Sequence, residues 1–215
     1  MAMEWLLQVP ILLFSIIFHE YAHGYAAYRH GDDTAYLMGR LTFNPIPHID
    51  PFGTILMPAL CALSGLPMFG WARPVPVNPL RLDRPRADMS WVAFSGPLSN
   101  LFLAVLSALL YKAAALAVPL TGPGLASTLL TGLRFAVIIN LALAFFNLIP
   151  IYPLDGGQVL LGRLPDGALR VYEKHVPYGI YIIFALILTG VLKHVIIVPV
   201  YYALTLLAFL GLPVI

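Results

Sequence analysis

Uncharged stretches of about twenty residues recur along this chain and dominate what it can fold into. Trp91 to Tyr111, Ala113 to Leu133, Phe135 to Leu154, 176–192 and 194–215 hold no Asp, Glu, Lys or Arg. A helix needs about 20 apolar residues to cross the hydrocarbon of a bilayer. Residues 5–18 form a shorter uncharged run whose apolar pattern continues through Tyr21, Ala22, Tyr25 and Ala26 to Arg29. Over the 215 residues 60% are hydrophobic and 10% charged, against about 45–50% and about 25% in soluble globular proteins. So few charges cannot cover a water-facing surface, and the same numbers exclude disorder. The pattern predicts an all-α polytopic membrane protein with helices near 4–28, 91–118, 125–150, 177–192 and 195–213. It forms one domain over 1–215, with a core at 4–157 and C-terminal helices at 177–213. A net charge of +2 gives no footing for nucleic acid. The single cysteine, Cys61, excludes an internal disulfide framework and a Cys-based zinc knuckle.

Two segments break this regularity. Pro51 to Ala72 is uncharged but is punctuated by Pro51, Pro58, Pro67, Gly53, Gly65 and Gly70, as a sixth span or a re-entrant element would be. Residues 73–90 carry Arg73, Arg81, Asp83, Arg84, Arg86 and Asp88 among four prolines, and read as a rigid, extended loop. The N-terminus has no basic flank and no small-residue cleavage site, so it is expected to be retained rather than removed as a signal peptide.

Inside the first helix stands Phe18-His19-Glu20-Tyr21-Ala22-His23. Two histidines four residues apart lie one turn above each other on one helix face and can ligate one metal ion. The glutamate between them can reach a water at that ion as general base. In an accidental setting the pattern would mean little. Ionisable groups in a lipid-embedded helix, however, cost about 2.5–3.5 kcal/mol each near its centre and mark functional sites facing the bundle interior. A hydrolytic zinc wants a third protein ligand and an open fourth position. His30, Asp32, Asp33, His48, Asp50, Asp155 and His175 are the candidates. Asp155 is favoured because it closes Asn147-Leu148-Ile149-Pro150-Ile151-Tyr152-Pro153-Leu154-Asp155-Gly156-Gly157, where prolines end a helix and glycines permit close backbone approach.

These motifs resemble the site-2 proteases, the intramembrane zinc metalloproteases of regulated intramembrane proteolysis. The resemblance rests on Phe18 to His23, on Gly96-Pro97-Leu98-Ser99-Asn100 and on Asn147 to Gly157, in the family's order. Gly39-Arg40-Leu41-Thr42-Phe43-Asn44-Pro45, continuing through His48-Ile49-Asp50-Pro51, is similar to the compact bacterial branch. It implies one zinc ion held by His19, His23 and Asp155, with Glu20 as catalytic base and Asn147 holding the substrate carbonyl. Asn100, Asn140 and His48 stand as supporting residues, the two asparagines equally suited to interhelical hydrogen bonds. The resemblance further implies a transmembrane protein substrate already cut by another protease, and residence in a bacterial cell membrane without a PDZ or CBS module. A zinc-binding transporter or an inactive relative is the competing reading, although neither needs Glu20.

Topology tests the ligand set. His19 and His23 lie toward the C-terminal end of the first helix, and Asp155 lies just past the end of helix 125–150. One ion joins them only if both ends face the same side of the membrane, so residues 51–72 must not cross. The expectation is a re-entrant or β-hairpin element around 36–72. Arg29, Arg40, Arg73, Arg81, Arg84, Arg86, Arg163, Arg170 and Lys174 then share one side, against Lys112, Arg134 and Lys193. The positive-inside rule makes the first side cytoplasmic.

Overall fold

The computed structural model describes residues 2–57, 60, 63, 72–121 and 123–214. Its helices are α1 (Ala2–Arg29), α2 (Thr34–Leu37), α3 (Pro85–Thr121), α4 (Pro123–Asn147), α5 (Asp155–Arg163), α6 (Asp166–Glu173), α7 (Gly179–Leu188) and α8 (Val191–Phe209). No strand occurs among the described residues. Among the described residues, four stretches are long and apolar enough to cross a bilayer: Pro85–Val118, Ala126–Asn147, Asp166–Leu188 and Val191–Phe209. The sequence reading counted five. Helix α1, the first of those five, is 28 residues long, the length of a span.

Helix α3 is the central rod, packed against α1, α4 and α5. Its buried positions Ala93, Pro97, Asn100, Ala104 and Ala108 recur every three or four residues, the period of one helix face. Small residues along that face let neighbouring backbones approach, the usual basis of helix packing where lipid removes the hydrophobic drive. Ala104 and Ala108 thus meet Val137 and Leu141 of α4 and Leu207 of α8 in the main apolar core. Phe102, Leu106 and Leu110 point the other way and stay exposed, as side chains that face acyl chains do.

Several boundaries depart from the sequence expectation, among them the last two helices, expected near 177–192 and 195–213 and found at Gly179–Leu188 and Val191–Phe209. The polar stretch 73–90 is not a loop throughout: it has no regular structure over 72–78, turns at Pro79–Arg81, and is helical from Pro85. Proline is tolerated at a first helical position because its missing N–H has no partner there. Asp88 completes the start, its carboxylate accepting from the Arg84 N–H at 2.7 Å and from the Arg84 guanidinium at 2.9 Å. Helix α4 stops at Asn147 rather than 150, since Pro150 has no N–H to continue the ladder. Two short polar helices, α5 and α6, run on from Asp155, where no helix was assigned from the sequence.

Helix α5 is strapped to the start of α3. The Arg86 guanidinium donates to Leu161 O at 3.3 Å, to Leu164 O, and to Asp166 at 3.0 Å. Ser90 Oγ donates to Val159 O at 3.2 Å. Over 36–57, part of the element expected to be re-entrant or a β-hairpin, the chain forms helical turns and no strand: α2, a 3-10 turn at Ile46–His48 and a π-helical turn at Pro51–Leu56. The rest of that element, 58–71 apart from Leu60 and Leu63, lies outside the described residues.

The packing of α3 makes a stability prediction. Ala108→Leu forces extra atoms into the closely packed core and should destabilise the fold by about 1–3 kcal/mol. Leu110→Ala on the exposed face should change little. Thermal unfolding of both variants in detergent checks the contrast.

Candidate metal centre

The site is assembled from three helices meeting over the middle of α3. Helix α1 presents His19 and His23 one turn apart, and α5 presents Asp155 from its first turn, where a carboxylate is favoured by the helix dipole. Turn 148–154, which includes a cis Tyr152–Pro153 bond, delivers α5 to this point. A Cβ on Gly156 would overlap Leu148 O, and one on Gly157 would lie 2.5 Å from Tyr152 N. The glycines therefore allow helix α5 to press onto the turn before it, a close approach rather than a sharp bend. Gly96 does the same for α3: a Cβ there would collide with the rings of both His23 and His19. This Gly-Pro-Leu-Ser-Asn stretch lies inside α3, about three turns past its start at Pro85.

His19 Nε2 lies 3.1 Å and His23 Nε2 3.3 Å from Asp155 Oδ2, and the two Nε2 atoms are 3.0 Å apart. Among the described residues these three side chains are the group able to hold a metal ion. Their protonation explains why a cation belongs there. His23 Nδ1 lies 2.7 Å from the main-chain carbonyl of Val92, which can only accept, so that nitrogen carries the hydrogen. His19 Nδ1 lies 2.6 Å from Asn100 Oδ1 and donates in the same way. Both Nε2 atoms then aim lone pairs at one point, and the buried Asp155 Oδ2 lacks a hydrogen-bond donor. A proton shared with the carboxylate would satisfy at most one nitrogen at these separations. A divalent cation satisfies all three, so the donor set fits the zinc that the sequence motifs imply.

A cleft of about 480 Å³ opens at this point, lined by His19, Glu20, His23, Asn147 and Asp155. Segment 72–78 borders it through Ala72, Pro74, Val75 and Val77. The Val75 N–H donates to Glu20 Oε2 at 2.8 Å, and the buried Arg40 guanidinium donates to Arg73 O at 2.9 Å and Pro74 O at 3.1 Å. Burial lowers the Arg40 pKa, the Arg73 charge adds to this, and Glu20 opposes it. Asn147 donates through Nδ2 to Leu143 O at 3.1 Å, leaving its second amide hydrogen for the cleft.

The other ligand candidates are structural. Buried Asp32 accepts from the Thr34 N–H at 3.0 Å and the Asn78 N–H at 2.6 Å, tying the end of α1 to segment 72–78. Asp33 pairs with Arg81, and His30 faces Asp88 at 3.5 Å. Asp50 caps the turn at Phe52 and Gly53, and exposed His175 bonds back to Val171 O. His48 is corrected as a supporting residue of the site: it is fully buried, but its Nε2 bonds Thr42 O at 2.9 Å and its carbonyl accepts from the Arg73 N–H. It braces the loop and does not touch the ligands. The sequence reading missed Arg40, Ser15 and the carbonyl of Val92. Ser15 had a signal, since it lies four residues before His19 on the same helix face.

Comparison with known proteins gives a consistent pattern. The model of peptidase family M50 matches residues 114–190. Two proteins that carry the name "Putative zinc metalloprotease" are similar over most of the chain. YwhC of Bacillus subtilis (strain 168) is 39% identical over 191 residues, 87% of this chain and 82% of that protein. Rip2 of Mycolicibacterium smegmatis (strain ATCC 700084 / mc(2)155) is 29% identical over 183 residues, 85% of this chain and 66% of that protein. No solved structure matches at the same stringency.

The geometry predicts that Asp155→Ala and Gly96→Val both lose stoichiometric metal, the first by removing a ligand and the second by displacing both rings. Metal analysis of the purified variants checks this, and Gly124→Val, where a Cβ meets nothing, is the control.

Proposed function

The chain belongs to peptidase family M50, the site-2 protease family, and on that premise we propose that it hydrolyses a peptide bond in or near the transmembrane segment of a membrane-protein substrate. The observation that carries the reading is the convergence of two imidazole lone pairs and one carboxylate beside Glu20 in a cleft. His19, His23 and Asp155 would hold one zinc ion. When bound, zinc supplies a water acidified to about neutral pH and a Lewis acid for the scissile carbonyl.

The chain's own groups do the rest. Glu20, its Oε2 held by the Val75 N–H, takes the proton of the attacking water at its other oxygen and passes it to the leaving amine. Asn147 keeps one amide hydrogen on Leu143 O and offers the other to the carbonyl oxygen as negative charge grows there. A helical substrate has its amides internally bonded, so it must unwind to expose the bond that is cut. The non-helical segment 72–78 bordering the cleft supports an extended substrate lying beside it. Between Pro74 and Pro76 the Val75 N–H is the one main-chain donor, and Glu20 takes it, so strand pairing at that point relies on carbonyl acceptors.

The excess of Arg and Lys on the loops that share a side with the site, nine against three, supports a cytoplasmic-facing active site in a bacterial cell membrane. A single-pass protein already trimmed by another protease is the substrate that the family membership favours.

Glu20→Ala separates a protease from a zinc-binding transporter. It should keep the metal while cleavage falls by about 10²–10⁴-fold, the range of general acid–base catalysis. Quantifying membrane proteins in cells with wild type or Glu20→Ala reads this directly, since substrates should accumulate as uncut membrane stubs. Equal stub levels in the two strains would remove the proteolytic reading.

A further inference from the structure

Behind His19, on the side away from the cleft, a chain of hydrogen bonds links three helices. Ser15 Oγ donates its one hydrogen to Ile11 O at 2.9 Å, so it can only accept from Asn140. Asn140 Nδ2 meets both Ser15 Oγ at 2.9 Å and Ala136 O at 2.9 Å. Two acceptors on that side fix which end of the Asn140 amide is nitrogen and turn its Oδ1 toward Asn100. Asn100 Nδ2 donates to that Oδ1 at 2.9 Å and to Ser15 O at 3.2 Å. Asn100 Oδ1 must then face His19 Nδ1, 2.6 Å away. Main-chain carbonyls cannot reverse roles, so the direction of every bond follows from Ile11, Ser15 and Ala136.

We propose that Asn100, oriented by Asn140 and Ser15, is a positioning residue that holds His19 as its Nδ1–H tautomer with Nε2 aimed at the metal. The inference rests on the zinc reading above and adds to it. Groups behind ligating histidines usually fix tautomer and ring orientation, and losing one typically costs about 10–100-fold in metal affinity. All three side chains are almost fully buried. An amide oxygen does this work without a further buried charge, which a carboxylate in the same place would add inside lipid. His23 receives the equivalent support from the Val92 carbonyl, so both rings are fixed by neutral acceptors on α3.

The test is zinc affinity of the purified full-length protein in detergent, measured by competition with a chromophoric chelator, together with the visible spectrum of the cobalt-substituted protein. Asn100→Leu should bind zinc about 10–100-fold more weakly and alter the cobalt spectrum. Asn100→Asp keeps the acceptor for His19 while losing the bonds to Ser15 and Asn140. It should melt at lower temperature yet bind zinc close to wild-type strength. Asn140→Ala, which leaves Asn100 in place but unoriented, should fall between wild type and Asn100→Leu, and it carries the test if Asn100→Leu does not fold. Zinc binding by Asn100→Leu or Asn140→Ala as tight as wild type overturns the proposal, as does Asn100→Asp binding as weakly as Asn100→Leu. Wild-type protein that takes up no zinc overturns the metal reading beneath it instead.

Discussion

Three electron-pair donors aimed at one point, inside a bundle built largely from apolar side chains, are the constraint that organises this molecule. Two imidazole nitrogens and a carboxylate oxygen that lie about 3 Å apart are mutually unfavourable unless a cation lies among them, and low dielectric strengthens both the repulsion and its relief. Everything close to them serves that convergence. Gly96 leaves room for the rings, Val92 and Asn100 orient them, and Gly156 and Gly157 let α5 press near enough to deliver the carboxylate.

Much of this was legible in the residues. Long uncharged runs can only be lipid-embedded helices, and a His-Glu-x-x-His pattern inside one is costly enough to demand a purpose. The pairing of His19 and His23 with Asp155 came from the resemblance and from the Pro- and Gly-rich run before Asp155, on the condition that two helix ends share a side of the membrane. The coordinates bring those side chains together. What stayed illegible were features set by tertiary contact. Residues 155–173 offered no helix in sequence because α5 and α6 are short and polar, and α5 is held by docking against α3. The charge and prolines at 73–90 looked like loop, although Pro85 and Asp88 are local signals of a helix start there. His48 lay near the ligands in sequence and turned out to brace a loop through Thr42 and Arg73.

The polar residues of the apolar helices also sort differently in three dimensions. Asn100 and Asn140 could each have been simple interhelical glue, with bonds worth about 0.6 kcal/mol on average. Their amide orientations, dictated by main-chain carbonyls, instead point a single acceptor at His19. No spacing rule connects positions 15, 100 and 140. Only packing α1, α3 and α4 together makes them one unit.

The straps that hold α5 to the start of α3 have a mechanical consequence. The imidazoles and the carboxylate come from remote parts of the chain, yet both are referenced to the same rod, α1 through Val92 and Asn100 and α5 through Arg86 and Ser90. When a bilayer thickens or thins, helices respond mainly by changing tilt. A rod that tilts with its attached partners carries all three donors along as a rigid body. The spacing on which coordination depends is thereby insulated from the thickness of the surrounding lipid.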